Sequence, residues 1–286
     1  MKNEKNTRKS RSSLMRGLTN TRTRFGLALI ALVVGLAFLG PLAAPYGPSE
    51  LIGTPYQAPD ADSLLGTDSL GRDVLSRFLF GGRNLIWMAL SATLAGLTLG
   101  AAIGLATAYS KGRFDGIVMR IVDLQLAFPS VIFALLFVTA LGPNPVLLVV
   151  LVALSQAPSV ARIIRGASLA VVERDYVQWS RAVGLPTHKI LMSEILPNIA
   201  SPLLVELGLR LMWSISLLAG LSFLGYGIQP PNADWGLMVN ESRNALTIQP
   251  CAVLAPILAI ATLSIGGTLF AEGMSRAIGL TEGVRK

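Results

Sequence analysis

Two pairs of oppositely charged residues lie in otherwise apolar stretches, and chemistry within this chain would be sought there first. Glu206 and Arg210 are four apart, so a helix brings them onto one face where they can neutralise each other. Arg120 and Asp123, three apart, can do the same. Ionisable groups in an apolar span are costly and mark a substrate or ion path by default; the alternative is a structural ion pair between packed helices. The rest of the inventory is thin. A single histidine, His188, and a single cysteine, Cys251, exclude a His-rich metal site, a cysteine metal cluster and an intramolecular disulfide. No phosphate loop is present, because Gly81-Gly82-Arg83 lacks the lysine and the Ser/Thr after it. No nucleophile–base set or catalytic carboxylate pair emerges from spacing, so neither an enzyme activity nor a cofactor is expected.

Two polar stretches interrupt the apolar ones. Asp175–Asn198 reads as two short helices: Asp175 can cap the first, and Tyr176, Trp179 and Val183 recur at helical spacing as an apolar stripe. Gly184 stands where a terminal glycine ends a helix, and Pro186 suits the first turn of the next. Helices of about two turns are marginal alone in water, so this hairpin must dock on something. The second stretch, Leu64–Ile86, places Gly66 and Gly71 around Thr67, Asp68 and Ser69, followed by Arg72 and Asp73. It reads as a rigid, turn-rich elbow that packs on neighbouring helices or receives a partner.

What must position these stretches is a membrane bundle. The hydrophobic share is 52%, the charged share only 14% and the mean hydropathy +0.59, whereas soluble domains carry about 25% charged residues. The net charge of +8 does not point to nucleic acid, because eight of the cations fall within residues 1–24 against Glu4 alone. The apolar run that follows lasts about 20 residues, too long for a signal-peptide core, and reads as a retained anchor. Six bilayer-length spans are expected, near 25–44, 85–109, 117–141 (with a kink at Pro129), 145–164, 201–224 and 251–270. In the second, Gly96, Gly100 and Gly104 form a small-residue stripe for close helix approach. The positive-inside rule puts both termini and the 175–198 hairpin in the cytoplasm, although Arg72, Arg77 and Arg83 in the first outer loop run against it.

Taken together, the motifs resemble those of ABC importer inner-membrane permeases. More narrowly, Leu65-Gly-Thr-Asp-Ser-Leu-Gly-Arg-Asp-Val-Leu-Ser-Arg77 is similar to the LGTDxxGRDxxSR signature of the C-type branch of the dipeptide/oligopeptide/nickel permease family. Tyr176–Asn198 resembles the EAA loop of these permeases, with Arg181, Ala182, Gly184, Ile190 and Ile195-Leu-Pro-Asn198 kept and Gln178, Trp179 and Ser180 standing in for Glu-Ala-Ala. Leu221–Gly225, Pro230-Pro231 and Asp234-Trp235-Gly236 match later segments, while Ser63 replaces a frequent histidine and Leu218 a frequent glutamate.

The resemblance implies an all-α polytopic protein of six transmembrane helices with the type I ABC importer permease fold. Residues 1–24 would be a cytoplasmic tail, 25–83 the first helix and outer loop, 84–272 the permease core with a coupling loop at 166–198, and 273–286 a cytoplasmic tail. It further implies a bacterial inner-membrane subunit forming half of a translocation path for small peptides. Its partners would be a second homologous permease, two cytoplasmic ATPase subunits that hydrolyse the ATP, and an extracytoplasmic solute-binding protein. Tyr176, Gln178, Trp179, Ser180, Arg181, Ala182, Gly184 and Ile190 would then form the ATPase contact, with Arg181 pairing with acids at its rim. Nickel or a metal chelate is the alternative cargo. An ion-coupled secondary carrier and a membrane anchor are the alternatives from other classes.

Overall fold

The computed structural model describes residues 20–283. Most of the basic tail lies outside these residues. Among the described residues all regular structure is helical, apart from two isolated β-bridges, Leu51 to Arg72 and Thr67 to Asp73. The long helices are α1 (Thr21–Leu39), α2 (Val74–Ser110), α5 (Pro145–Val172), α7 (Ala200–Phe223) and α9 (Pro250–Gly283). Shorter ones are α3 (Gly112–Leu126), α4 (Ser130–Leu141), α6 (Asp175–Ala182) and α8 (Trp235–Ser242).

Five helical stretches are long and apolar enough to cross a membrane, and the α3–α4 pair makes up the sixth span. That span departs from expectation. Instead of one helix kinked at Pro129, two short helices meet at 82°. Pro129 cannot donate to the preceding turn and disfavours helical backbone at Phe128, so α3 ends at Leu126, capped by Ala127, and α4 starts afresh at Ser130. The second span is also longer than expected. Asp73 caps α2, accepting a hydrogen bond from the Ser76 amide at 2.8 Å, so the helix begins inside the elbow motif. Its 37 residues run about 55 Å, well beyond the hydrocarbon thickness. The last helix likewise continues to Gly283, through most of the segment assigned to a tail.

The glycine stripe does what its spacing predicts. A Cβ added at Gly96, Gly100 or Gly104 would lie 2.8, 2.6 and 2.6 Å from the carbonyl oxygens of Ala153, Ala157 and Ala161, so α2 and α5 pack backbone to backbone. A similar crossing joins α1 to α9, where a Cβ on Gly26 would stand 2.5 Å from the Gly266 carbonyl oxygen. The buried side chains form two apolar clusters. One includes Leu85, Leu148, Leu218 and Trp235; the other gathers Leu105, Val160 and Ile164 of the α2–α5 pair with Val177, Ile190, Ile195 and Ile199. This second cluster is what seats the 175–198 hairpin.

Candidate functional site

The elbow is a closed charge network. Asp68 accepts from the amides of Leu70 (2.9 Å) and Arg72 (3.0 Å) through one carboxylate oxygen. The other oxygen takes Arg72 Nε (2.7 Å) and an Arg77 Nη (2.9 Å). Both arginines also donate to Glu241 of α8, at 2.9 and 2.7 Å. Two guanidiniums and two carboxylates thus cancel where Arg72 and Arg77 are 4% and 1% exposed. Burial pushes the Glu241 carboxyl above its usual range, against the hydrogen bond from Arg72. Asp73 also accepts from Ser63 Oγ at 3.1 Å, so Ser63 is a buried member of the network. Thr67 Oγ1 donates to the Thr54 carbonyl at 2.6 Å. Gly66 (φ +73°) and Gly71 (φ +82°) hold left-handed turns in which a Cβ would strike the Gln249 amide and the Gly53 carbonyl.

The later motif locks onto this elbow. Asp234 caps α8 through the Leu237 amide at 3.1 Å. The indole of Trp235 is buried, donates to the Phe78 carbonyl at 2.8 Å and stacks on the Phe78 ring. Complete burial raises the Asp234 carboxyl to about 6, opposed by hydrogen bonds from Leu237, Ser222 and Gly236. Arg77 and Glu241 were not singled out as site residues from sequence. The available signal was charge balance, since Arg72 and Arg77 sat in a loop with no acidic partners beyond Asp68 and Asp73 within the motif.

In the hairpin, α6 begins at Asp175, which lies in the first turn rather than at the cap; Arg174 occupies the cap position. The helix ends in a Schellman motif: Gly184 N–H donates to the Arg181 carbonyl (3.0 Å) and Leu185 N–H to that of Ser180 (3.1 Å). Gly184 has φ +80° with open space around it, so the requirement for glycine there is conformational. The second helix is irregular. One α-turn, Thr187–Lys189, passes into a π-helix, Ile190–Ile195, then a 3-10 turn, Leu196–Ile199, and runs on into α7 without a loop.

Burial sorts the eight sequence-selected hairpin residues into two sides. Tyr176, Trp179, Ala182 and Gly184 face outward, Trp179 at 66% exposure, joined by Val183 and by Met192, which sequence reasoning passed over. Ser180 and Ile190 are buried inward, and Val177 packs with them. Gln178 donates to the Val172 carbonyl (3.0 Å) and so caps α5. Arg181 corrects an expectation: its guanidinium does not point to an outer rim but lies 3.9 Å over the Tyr109 ring and donates to the Tyr109 carbonyl at 3.0 Å. It therefore clamps α6 to the C-terminal end of α2. Beside it, Lys111 pairs with Glu173, which holds that exposed carboxyl below its usual range.

Of the two intramembrane pairs, Glu206 and Arg210 meet at 2.8 Å, largely buried. Arg120 and Asp123 do not form the expected pair. Asp123 instead pairs with Arg162 of α5, because α5 runs beside α3, and Arg120 is exposed. Among the described residues no group of three His, Cys, Asp or Glu side chains could hold a metal ion.

Comparison with known proteins agrees with this layout. Residues 96–279 match the family described as binding-protein-dependent transport system inner membrane component. Over 260 residues the chain is 35% identical to the di/tripeptide transport system permease protein DppC of Pseudomonas aeruginosa, covering 88% of this chain and 86% of that one. It is 34% identical over 251 residues to the glutathione transport system permease protein GsiD of Pectobacterium atrosepticum, covering 87% and 83%. Its fold resembles a chain of the MetNI methionine ABC transporter in an inward-facing form, with a TM-score of 0.54 and 14% identity, over 69% of this chain and 96% of that one.

Proposed function

From the premise that this chain belongs to the binding-protein-dependent inner-membrane transport components, a family of multi-pass permeases rather than enzymes, we propose that it forms half of the path for small peptides through an ATP-driven importer. The observation that carries the coupling role is the two-sided hairpin. Val177, Ser180 and Ile190 fasten it to the bundle, while Tyr176, Trp179, Val183 and Met192 leave an apolar ridge outside. A ridge with an aromatic anchor, seated on a rigid base, suits the groove of a separate ATPase. The complete assembly would hold a second, homologous permease, two ATPase subunits and an extracytoplasmic binding protein. Closure of the ATPase pair on ATP would push the hairpin, and Arg181 on Tyr109 and the shared apolar cluster would pass that movement to α2 and α5.

Both termini and the hairpin would face the cytoplasm. Neutralisation of Arg72 and Arg77 by Asp68 and Glu241 supports this orientation, since two of the three outer-loop cations that ran against it carry no net charge to the surface. A single cysteine at Leu64, which is 66% exposed, should be labelled from the extracytoplasmic side in intact cells; labelling only after permeabilisation would reverse the orientation. The cargo reading leans on the peptide and glutathione transport named for the relatives. Uptake of di- and tripeptides against nickel by a deletion strain tests it, and nickel uptake without peptide uptake would overturn it.

A further inference from the structure

Midway along the spans, at the 82° bend between α3 and α4, lies an open-sided cleft of about 270 Å³ walled also by α5 and α7. Its lining carries Gln125, Ser130, Ser155, Ser159, Arg210 and Trp213. Gln125 donates to the Leu154 carbonyl (2.8 Å) and Ser155 to that of Leu151 (2.6 Å), so both are held in place by their own helices or the next. Arg210 donates through Nε to Glu206, whose side chain is buried. The two Nη groups of Arg210 and the hydroxyls of Ser130 and Ser159 have no protein acceptor among the described residues.

We propose that this cleft is a mid-membrane station for the C-terminal carboxylate of the transported peptide, gripped by the Arg210 Nη pair. The inference rests on the peptide-permease reading and adds the contact that the cargo makes. A guanidinium whose Nε is already engaged still presents two parallel donors, the geometry that a carboxylate matches with both oxygens. The low dielectric of a membrane interior strengthens such a contact. The Ser130 and Ser159 hydroxyls supply further donors, and Trp213 gives an apolar wall for a side chain. Glu206 competes for the same guanidinium, which keeps the grip weak enough for release, as a transport path requires. A free metal cation would meet the Arg210 guanidinium here, a charge of the wrong sign for holding it.

The test uses the permease complex with its ATPases, in detergent and without binding protein, so that the binding protein's own selectivity does not intervene. Ser159→Cys on a Cys251→Ser background reports from inside the cleft. An anionic methanethiosulfonate should modify that cysteine roughly fivefold faster than a cationic one of similar size, and Arg210→Gln, which leaves Glu206 without its cation, should abolish or reverse that preference. Arg210→Lys, which keeps the charge, should restore the preference and shows that loss in the Gln variant is not misfolding. A tripeptide at millimolar concentration should slow the labelling, and its C-terminal amide should not. Equal rates for the two reagents, or equal protection by acid and amide, would overturn the station. ATP-driven tripeptide uptake by the complete transporter is measured in parallel. Uptake without protection removes the cleft alone, whereas absence of any peptide uptake removes the peptide-permease reading beneath it.

Discussion

At the elbow, Asp68, Arg72, Arg77 and Glu241 meet inside the protein and neutralise one another; at the hairpin, Tyr176, Trp179, Val183 and Met192 stand exposed above a buried base. Both regions are short, polar motifs at the ends of membrane helices, yet one closes on itself and the other is left open. The difference is physical. Buried charges are tolerated only when paired and hydrogen-bonded, so the elbow has one workable geometry and behaves as a rigid joint. An apolar ridge costs little to leave in water at this size and gains by being covered, so the hairpin is built to be completed by another surface.

The contrast breaks most visibly at Arg77. Arg77→Ala leaves Glu241 and Asp68 each short of a buried partner, and should cost about 3–5 kcal/mol of stability, read as a loss of folded protein in detergent. If the variant unfolds at the wild-type temperature, the elbow is not a structural joint. The next effect is a pH slope. Because the folded Asp234 carboxyl titrates near 6, above its ordinary 3.8, its contribution to stability is fully present below pH 3.8 and is lost as pH rises through 6. A rise of that size is worth about 3 kcal/mol. Asp234→Asn can still cap α8, and the thermal midpoint should lose this slope between pH 4 and 7; an unchanged slope would place the titration elsewhere.

The hairpin should respond in the opposite sense, with function lost and stability kept. Trp179→Ala should leave the melting temperature within the effect of about 0.5 kcal/mol, because the side chain is exposed. It should weaken recovery of the ATPase by roughly 30-fold, the scale of a central aromatic anchor at about 2 kcal/mol. Undiminished co-purification would remove Trp179 from the contact. The smallest effect sharpens the boundary between the two behaviours. Arg181→Glu loses the Tyr109 stacking and hydrogen bond, worth about 1 kcal/mol each, and should lower peptide uptake per ATP hydrolysed without preventing insertion. A normal uptake-to-hydrolysis ratio would show that movement passes by another route.

Much of this was readable along the chain because it depends on local order. Apolar runs of bilayer length, the Gly96–Gly100–Gly104 stripe and the Gly184 turn all follow from spacing within one helix or turn. The same holds for Glu206 with Arg210, four apart on one helix. Contacts between distant segments were a different matter. Glu241 lies 169 residues from Arg72, and no periodicity links them. Asp123 chose Arg162 over Arg120 because α5 lies alongside α3, and Arg181 turned inward because Tyr109 was there to receive it. Pro129 announced a bend, but whether that bend was a kink or a break lining a cleft depended on α5 and α7 filling the other side. Sequence by itself therefore determined the spans, the turns and the two motif-bearing segments, since sterics and hydrophobicity act within a few residues. Tertiary structure alone decided which charges are matched, which hairpin side chains face outward and where a polar cleft opens, because those depend on what packing brings together.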